Sequence, residues 1–243
     1  MEALIAFCWY RCNTKPNLEI ANHTVMAAKA SGVRRYAASA VWCLGMTYLQ
    51  LGNHDTSYNH IQEAYQLFNS LSPGDVESQR SGGLCGIDFV ENARFILQPK
   101  NVVSLARDVE KKCSALCDDV VHGSSLLQLG VSLNKVQKRQ DALYYMDCAK
   151  TIFKAVGHNI YLARAYHVIS WVHLAEHRLP DVLDAIEEAW KYAELTASRF
   201  YQSAISLTFG MVLFNTNQDP KAWKYVKISL INSSYIGDRY QVA

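Results

Sequence analysis

The sequence predicts an all-α protein, built as a solenoid of antiparallel helical hairpins. Only five prolines and twelve glycines occur in 243 residues, which is typical of long helices joined by short turns. Apolar residues recur at spacings of three and four, the period of an amphipathic helix. A small residue also recurs at intervals of 41, 44, 40 and 40 residues, at Gly45, Gly86, Gly130, Ser170 and Gly210. Such a series favours repeated helical hairpins over an irregular helical bundle.

The first two hairpins are delimited by glycine. The first is predicted over residues 3–32, where Gly32 follows the last helical residue, as glycine often does at a helix C-terminus. The second is predicted over residues 34–71, with its turn at Gly52 and Asn53. We expect Gly45 to be small because the two helices of this hairpin cross closely there.

The third hairpin, predicted over residues 76–117, is the most divergent. Pro99 marks its turn. Gly82 and Gly83 lie inside its first helix, where glycine weakens helix formation. They predict either a delayed start of that helix or a kink.

The last three hairpins are predicted over residues 123–156, 161–195 and 199–231. Pro180 lies where the second helix of the fifth hairpin should begin, a position at which its missing N–H group costs nothing. Residues 234–243 are predicted to start a further, truncated repeat. We expect all the hairpins to form a single repeat domain over residues 1–243.

The second hairpin also carries a recognisable side-chain signature. Its members are Val41, Leu44, Gly45 and Tyr48 in the first helix and Ser57, Ile61 and Ala64 in the second. This stretch resembles a tetratricopeptide (TPR) repeat, whose pattern is W-x2-L-G-x2-Y followed by A-x3-F. Val41 replaces Trp and Ser57 replaces Ala. The resemblance implies a right-handed solenoid of about six repeats, whose first helices line a concave face.

The repeats are longer than the standard TPR period of about 34 residues. Their spacing, with the stretches at residues 44–53 and 185–190, most resembles the TPR arrays of fungal NLR-like (STAND-type) NTPases. In that family the array senses a ligand or holds closed a switch whose P-loop NTPase module lies upstream. This sequence contains no GxxxxGK[ST] motif. The resemblance therefore implies a regulatory or sensor segment of a larger protein, with an intramolecular contact to such a module.

The TPR register predicts which residues face the concave side. They are Trp42, Met46, Leu49, Ile87, Leu127, Val131, Asn134, His167, Trp171, Leu174, Leu207, Met211 and Phe214. Most are apolar or aromatic, so a basic clamp for a peptide carboxylate is not predicted. A groove of Trp, Met and Phe suits an amphipathic helix or an extended apolar peptide. The alternative is that these side chains pack against one another and leave no groove.

Composition limits the possible partners and compartments. The chain has 24 Lys and Arg against 22 Asp and Glu, so it lacks the basic excess of a nucleic-acid-binding protein. Its seven cysteines, an odd number, predict free thiols in a reducing compartment. No signal peptide and no apolar run of about 18 residues is apparent. We expect a cytoplasmic chain with a protein or peptide partner, and neither nucleic acid nor membrane.

One motif suggests catalysis. His173, Glu176 and His177 form H-x-x-E-H, the inverted zinc-peptidase signature. Two histidines four apart on a helix can share zinc. However, His173 occupies the position that is aromatic (Tyr48) in the second hairpin, so its ring is expected to pack against the paired helix. His177 falls at the turn, and no third zinc ligand is evident downstream. A zinc hydrolase is thus a remote alternative, and the prediction is a non-catalytic scaffold without cofactor or metal.

Overall fold

Eleven helices and no strand make up the part of the chain that the structure describes, residues 15–72 and 74–236 of a computed structural model. The helices are α1 (Lys15–Ala30), α2 (Arg34–Gln50), α3 (His54–Asn69), α4 (Val76–Ile96), α5 (Pro99–Cys113), α6 (Asp119–Lys135), α7 (Arg139–Ala155), α8 (Asn159–Ala175), α9 (Leu179–Glu194), α10 (Arg199–Asn215) and α11 (Asp219–Ile236). The predicted all-α fold is confirmed. None of these described helices combines the length and apolar character needed to cross a membrane.

The chain divides into two compact units, and the division falls inside α6, between Gln128 and Leu129. The prediction of one repeat domain over residues 1–243 therefore stays a prediction. The first helix expected in the hairpin at 3–32 lies outside the described residues, and its second helix corresponds to α1.

In the first unit, each helix from α1 to α5 packs on the next one along the chain. Local capping defines the turns between them. Gly52 has a φ of +76°, which a residue without a Cβ adopts at no steric cost. The Asn53 side chain then accepts a hydrogen bond from the Thr56 amide (3.2 Å), and Asp75 accepts one from the Ser78 amide (3.2 Å). These side chains satisfy backbone donors that a helix start leaves unpaired.

The close crossing predicted at Gly45 is confirmed. A Cβ atom built on Gly45 would lie 2.6 Å from Ile61 Cγ1, nearer than real Cβ atoms come to other heavy atoms. A Cβ atom would lie 2.8 Å from the nearest side-chain atom at Gly86, 2.7 Å from it at Gly130 and 2.8 Å from it at Gly210. In each case the obstructing atom belongs to the helix that follows or precedes in the chain. The period read from the sequence is thus a series of helix contacts too close for a side chain.

The glycine pair in α4 also serves packing. The helix runs from Val76 to Ile96, so the predicted delay of its start is wrong. A Cβ on Gly83 would lie 2.8 Å from Val121 Cγ1, and one on Gly82 would lie 3.1 Å from Phe68 Cβ. Close neighbours on both sides of α4 therefore compensate for the weak helix propensity of glycine.

In the second unit, α7 to α11 again pack in chain order. Its core includes Ile186 of α9 with Ile205 and Phe209 of α10. Because α11 continues to Ile236, residues 234–236 belong to the sixth hairpin and do not start a further repeat. The rest of that predicted repeat, 237–243, lies outside the described residues.

Two helices begin earlier than the sequence predicted. The fourth hairpin was expected from residue 123, but α6 begins at Asp119, because the Asp118 carboxylate accepts a hydrogen bond from the Val121 amide (2.9 Å). The fifth was expected from residue 161, but α8 begins at Asn159, where the His158 ring caps the Tyr161 amide (3.5 Å). Histidine is not among the preferred capping residues, so this start had no clear sequence signal.

Candidate functional site

The predicted concave-face residues of the first unit are largely covered. Ile87 and Leu127 are buried, and Trp42 is only 8% exposed. Met46 and Leu49 are half-buried. In this unit the described positions follow the second alternative, in which the side chains pack internally.

Trp42 is held by specific partners. Its indole Nε1 donates a hydrogen bond to Asp88 Oδ2 (3.0 Å), and its ring meets Phe68 edge-on at a centroid distance of 6.2 Å. A buried indole N–H usually finds such an acceptor. Asp88 was not singled out from the sequence, because it lies 46 residues from Trp42 and no local pattern links the two.

In the second unit, five of the eight predicted residues are buried or half-buried. They are Val131, Asn134, His167, Leu207 and Phe214. Phe214 meets Trp223 of α11 edge-on at 5.4 Å. These side chains therefore pack against neighbouring residues and offer little exposed surface to a partner.

The three remaining residues are exposed, and we call them the anchor surface: Trp171 and Leu174 of α8 and Met211 of α10. Trp171 is 43% exposed, Leu174 is 37% exposed and Met211 is 59% exposed. Large apolar side chains that stay in water mark interaction sites when they cluster. Aromatic residues and methionine are also enriched at protein interfaces.

A direct contact brings α8 and α10 together, although α9 separates them in the chain. His167 Nε2 lies 2.8 Å from Thr208 Oγ1. The Thr208 hydroxyl donates its proton to the Ala204 carbonyl (3.2 Å), so we assign the proton of the first contact to His167 Nε2. Thr208 was not predicted from the sequence. A buried histidine needs a polar partner, and this requirement is the reason to expect a residue such as Thr208 beside it.

The same histidine supports the anchor surface. Its ring meets the Trp171 ring edge-on at a centroid distance of 4.7 Å. Burial, and after it the positive charge of Arg164, lowers the pKa of His167 to about 4. The imidazole is therefore neutral near pH 7, and the Trp171 ring packs against an uncharged histidine.

The H-x-x-E-H motif holds an arginine between its members. One Arg178 Nη2 atom lies 2.7 Å from His173 Nδ1 and 2.7 Å from Glu176 Oε2. His177 sits in the turn with a φ of +57° and is exposed. A guanidinium that contacts both groups repels a metal cation from the same place. Within the described residues, no group of three His, Cys, Asp or Glu side chains is placed to share a metal ion.

Comparison with known proteins gives structural matches only. No protein-family model and no curated protein matches the sequence. Among solved structures, BtubC (BKLC) from P. vanneervenii is 12% identical with a TM-score of 0.66, covering 90% of this chain and 91% of that one.

Two further matches come from longer proteins. The Rap conjugation gene regulator of plasmid pLS20, solved with the Phr* peptide, is 19% identical with a TM-score of 0.63; 85% of this chain covers 57% of it. A STAND protein with a tetratricopeptide repeat sensor, from Pyrococcus horikoshii, is 13% identical with a TM-score of 0.59; 93% of this chain covers 37% of it. At such identities the matches establish the fold and leave function to be argued from the residues.

Proposed function

We propose that this chain, which has the fold of TPR-like repeat proteins, is a non-catalytic scaffold that binds an apolar segment of a protein or peptide on its anchor surface. The observation that carries the proposal is the exposure of Trp171, Leu174 and Met211. Their counterparts in the first unit, such as Trp42 and Ile87, are buried. An amphipathic helix or an extended apolar peptide is the partner chemistry that such side chains favour.

The energetics of the anchor surface suit binding. Full burial of one large apolar side chain contributes about 1.5–3 kcal/mol. Because these three side chains are 37–59% exposed, a partner gains about half of that value from each, which offsets part of the entropic cost of association. Because Trp171 already packs on the buried His167, little side-chain freedom remains to be lost when a partner docks. The structure of the Rap regulator with a peptide supports the proposal by analogy of fold.

A second candidate is a sensor segment of a larger STAND-type NTPase. The solved STAND protein with a TPR sensor favours it, since this chain spans 37% of that protein. The occupant of the anchor surface would then be a module of the same polypeptide. Sequencing the coding region upstream distinguishes the two candidates: a P-loop motif GxxxxGK[ST] supports the sensor role, and its absence supports a partner supplied by another chain. The narrower kinship with fungal NLR-like arrays stays a prediction.

We also infer a cytoplasmic location. Five of the cysteines, Cys43, Cys85, Cys113, Cys117 and Cys148, are free thiols in the described part of the chain. Free thiols persist in a reducing compartment. Nucleic acid is not proposed as a partner, because the charge balance gives no excess of basic residues.

The binding role is tested with peptides selected from a random-sequence display library against the whole chain. Trp171→Ala is expected to weaken the selected peptides at least about tenfold, the usual loss at a binding hot spot. Tyr144→Ala is the control, because Tyr144 is an aromatic residue on α7 that is even more exposed than Trp171, at 65% against 43%. Unchanged affinity of the Trp171 variant, with a helical circular dichroism spectrum, would contradict the proposal.

A further inference from the structure

A cleft lies in the first unit, and none of the residues that line it was predicted from the sequence for binding. It has a volume of about 200 Å³ and lies between α3, α4 and α5. Tyr65 and Phe68 of α3 and Val109 of α5 give it apolar walls, and Gly82 and Gly83 of α4 line it without a side chain. A Cβ on Gly82 would lie 3.1 Å from Phe68 Cβ, so this glycine lets α4 approach α3 closely beside the Phe68 side chain.

Charge in the cleft has a single source. Lys112 is the only charged side chain among the residues described as lining it, and no carboxylate is among them. The Lys112 ammonium lies 4.9 Å from the centroid of the Tyr65 ring and 3.1 Å from Asn69 Oδ1. A cation–π contact and a neutral hydrogen bond position this cation over the aromatic wall. Neither partner neutralises its charge.

We propose that this cleft binds a small aromatic carboxylate. The ring of the ligand packs against Tyr65 and Phe68, and its carboxylate accepts a charge-assisted hydrogen bond from Lys112. The size of the ligand follows from the volume, which is below the roughly 300–1,000 Å³ of sites for drug-sized molecules. One ring with a short acidic substituent matches the space, the apolar walls and the single positive charge.

The first test uses phenylacetate as the probe and the whole chain as the receptor. Titration is followed by ¹H–¹⁵N NMR, in which the backbone amides of Gly82 and Gly83 serve as reporters in the glycine region of the spectrum. Both amides are expected to shift with a common dissociation constant. Phenylacetamide, which has the same shape without the charge, is expected to bind about tenfold more weakly, because its neutral carbonyl oxygen accepts a weaker hydrogen bond from Lys112 than a carboxylate does.

The second test removes the cation. Lys112→Gln is expected to weaken phenylacetate binding about tenfold. Lys111→Gln is the matched control, because it makes the same change at an exposed neighbour on α5 that does not line the cleft. Both substitutions lie at the surface and should leave the helical fold unchanged. No shift at Gly82 and Gly83, equal binding of phenylacetamide, or equal effects of the two lysine variants would each overturn the proposal.

Discussion

At the scale of single residues, several glycines lie where two helices approach each other closely. The Gly45 position leaves no room for a methyl group. A Cβ atom there would lie 2.6 Å from Ile61 Cγ1 and 3.1 Å from the Ile61 amide nitrogen. We therefore expect Gly45→Ala to lower the free energy of unfolding by about 1–3 kcal/mol, as overpacking does. Urea denaturation measures the change. Gly74→Ala is the control, since its nearest neighbour is 3.8 Å away; an equal loss there would contradict the packing explanation.

His167 gives a pH dependence at the same scale. Its pKa is about 4 in the folded chain, while an unfolded histidine titrates near 6.5. Between these values the unfolded state binds a proton that the folded state does not. Stability from this residue is thus complete above about pH 6.5 and is lost as the pH falls.

The size of this effect is open to measurement. From pH 6.5 to 5 the unmodified chain should lose about 2 kcal/mol more than His167→Gln, by urea denaturation at each pH. Gln retains an N–H donor for Thr208, so the variant should fold. Parallel slopes for the chain and its His167 variant would show that His167 does not titrate as described.

Single residues also mark the limit of prediction from sequence. Trp42 and Trp171 are both tryptophans on the first helix of a repeat, and the TPR register placed both on the concave face. Trp42 is buried because Asp88 and Phe68 cover it. Trp171 packs against His167 and stays partly exposed to solvent. The difference depends on residues about 26 to 46 positions away, which no local pattern contains.

At the scale of helices, a buried polar link joins three of them. The Ser57 hydroxyl of α3 donates to the Gly45 carbonyl of α2 (2.8 Å), and the amide of Asn92 in α4 donates to the Ser57 oxygen. Both side chains are completely buried. Ser57 occupies a position that is alanine in the TPR pattern, so its hydroxyl adds a hydrogen-bonded link to α4 that alanine could not make.

A substitution that places the alanine of the TPR pattern at this position is therefore expected to destabilise the chain. Ser57→Ala is expected to lower the free energy of unfolding by about 1–3 kcal/mol, because the Asn92 amide stays buried without its acceptor. In the Ser57→Ala background, Asn92→Ala should cost less than it does alone. A double-mutant cycle in urea measures this coupling. Additive losses would mean that the two side chains do not act together.

Helix boundaries show what local signals can and cannot supply. The position of α4 was predicted closely from Val76, after a turn that holds Gly74 and Asp75. The start of α8 was missed because its cap is His158, a residue with weak capping preference. Hydrophobic period thus locates a helix, while its first residue depends on a side-chain hydrogen bond.

At the scale of the whole molecule, the repeat length carried most of the prediction. The interval of about 40 residues between the recurring small residues predicted how the helical hairpins follow one another along the chain. Each hairpin in such a fold contacts mainly its neighbours, so the period of the sequence reflects the contacts between helices. The concave face predicted from the sequence includes more residues than the structure leaves exposed. Only Trp171, Leu174 and Met211 of the thirteen residues lie open to solvent, since exposure is decided by packing between repeats and not by the repeat pattern.

The most direct test of the proposed function follows methionine methyl groups by NMR while a library-selected peptide is added to the whole chain. Met211 on the anchor surface and Met26 on α1 are similarly exposed, at 59% and 67%, so they differ in location and not in access. We predict that the Met211 methyl signal shifts to saturation and that the Met26 signal does not move. A saturating shift of Met26 with an unchanged Met211 signal would contradict a binding site on α8 and α10.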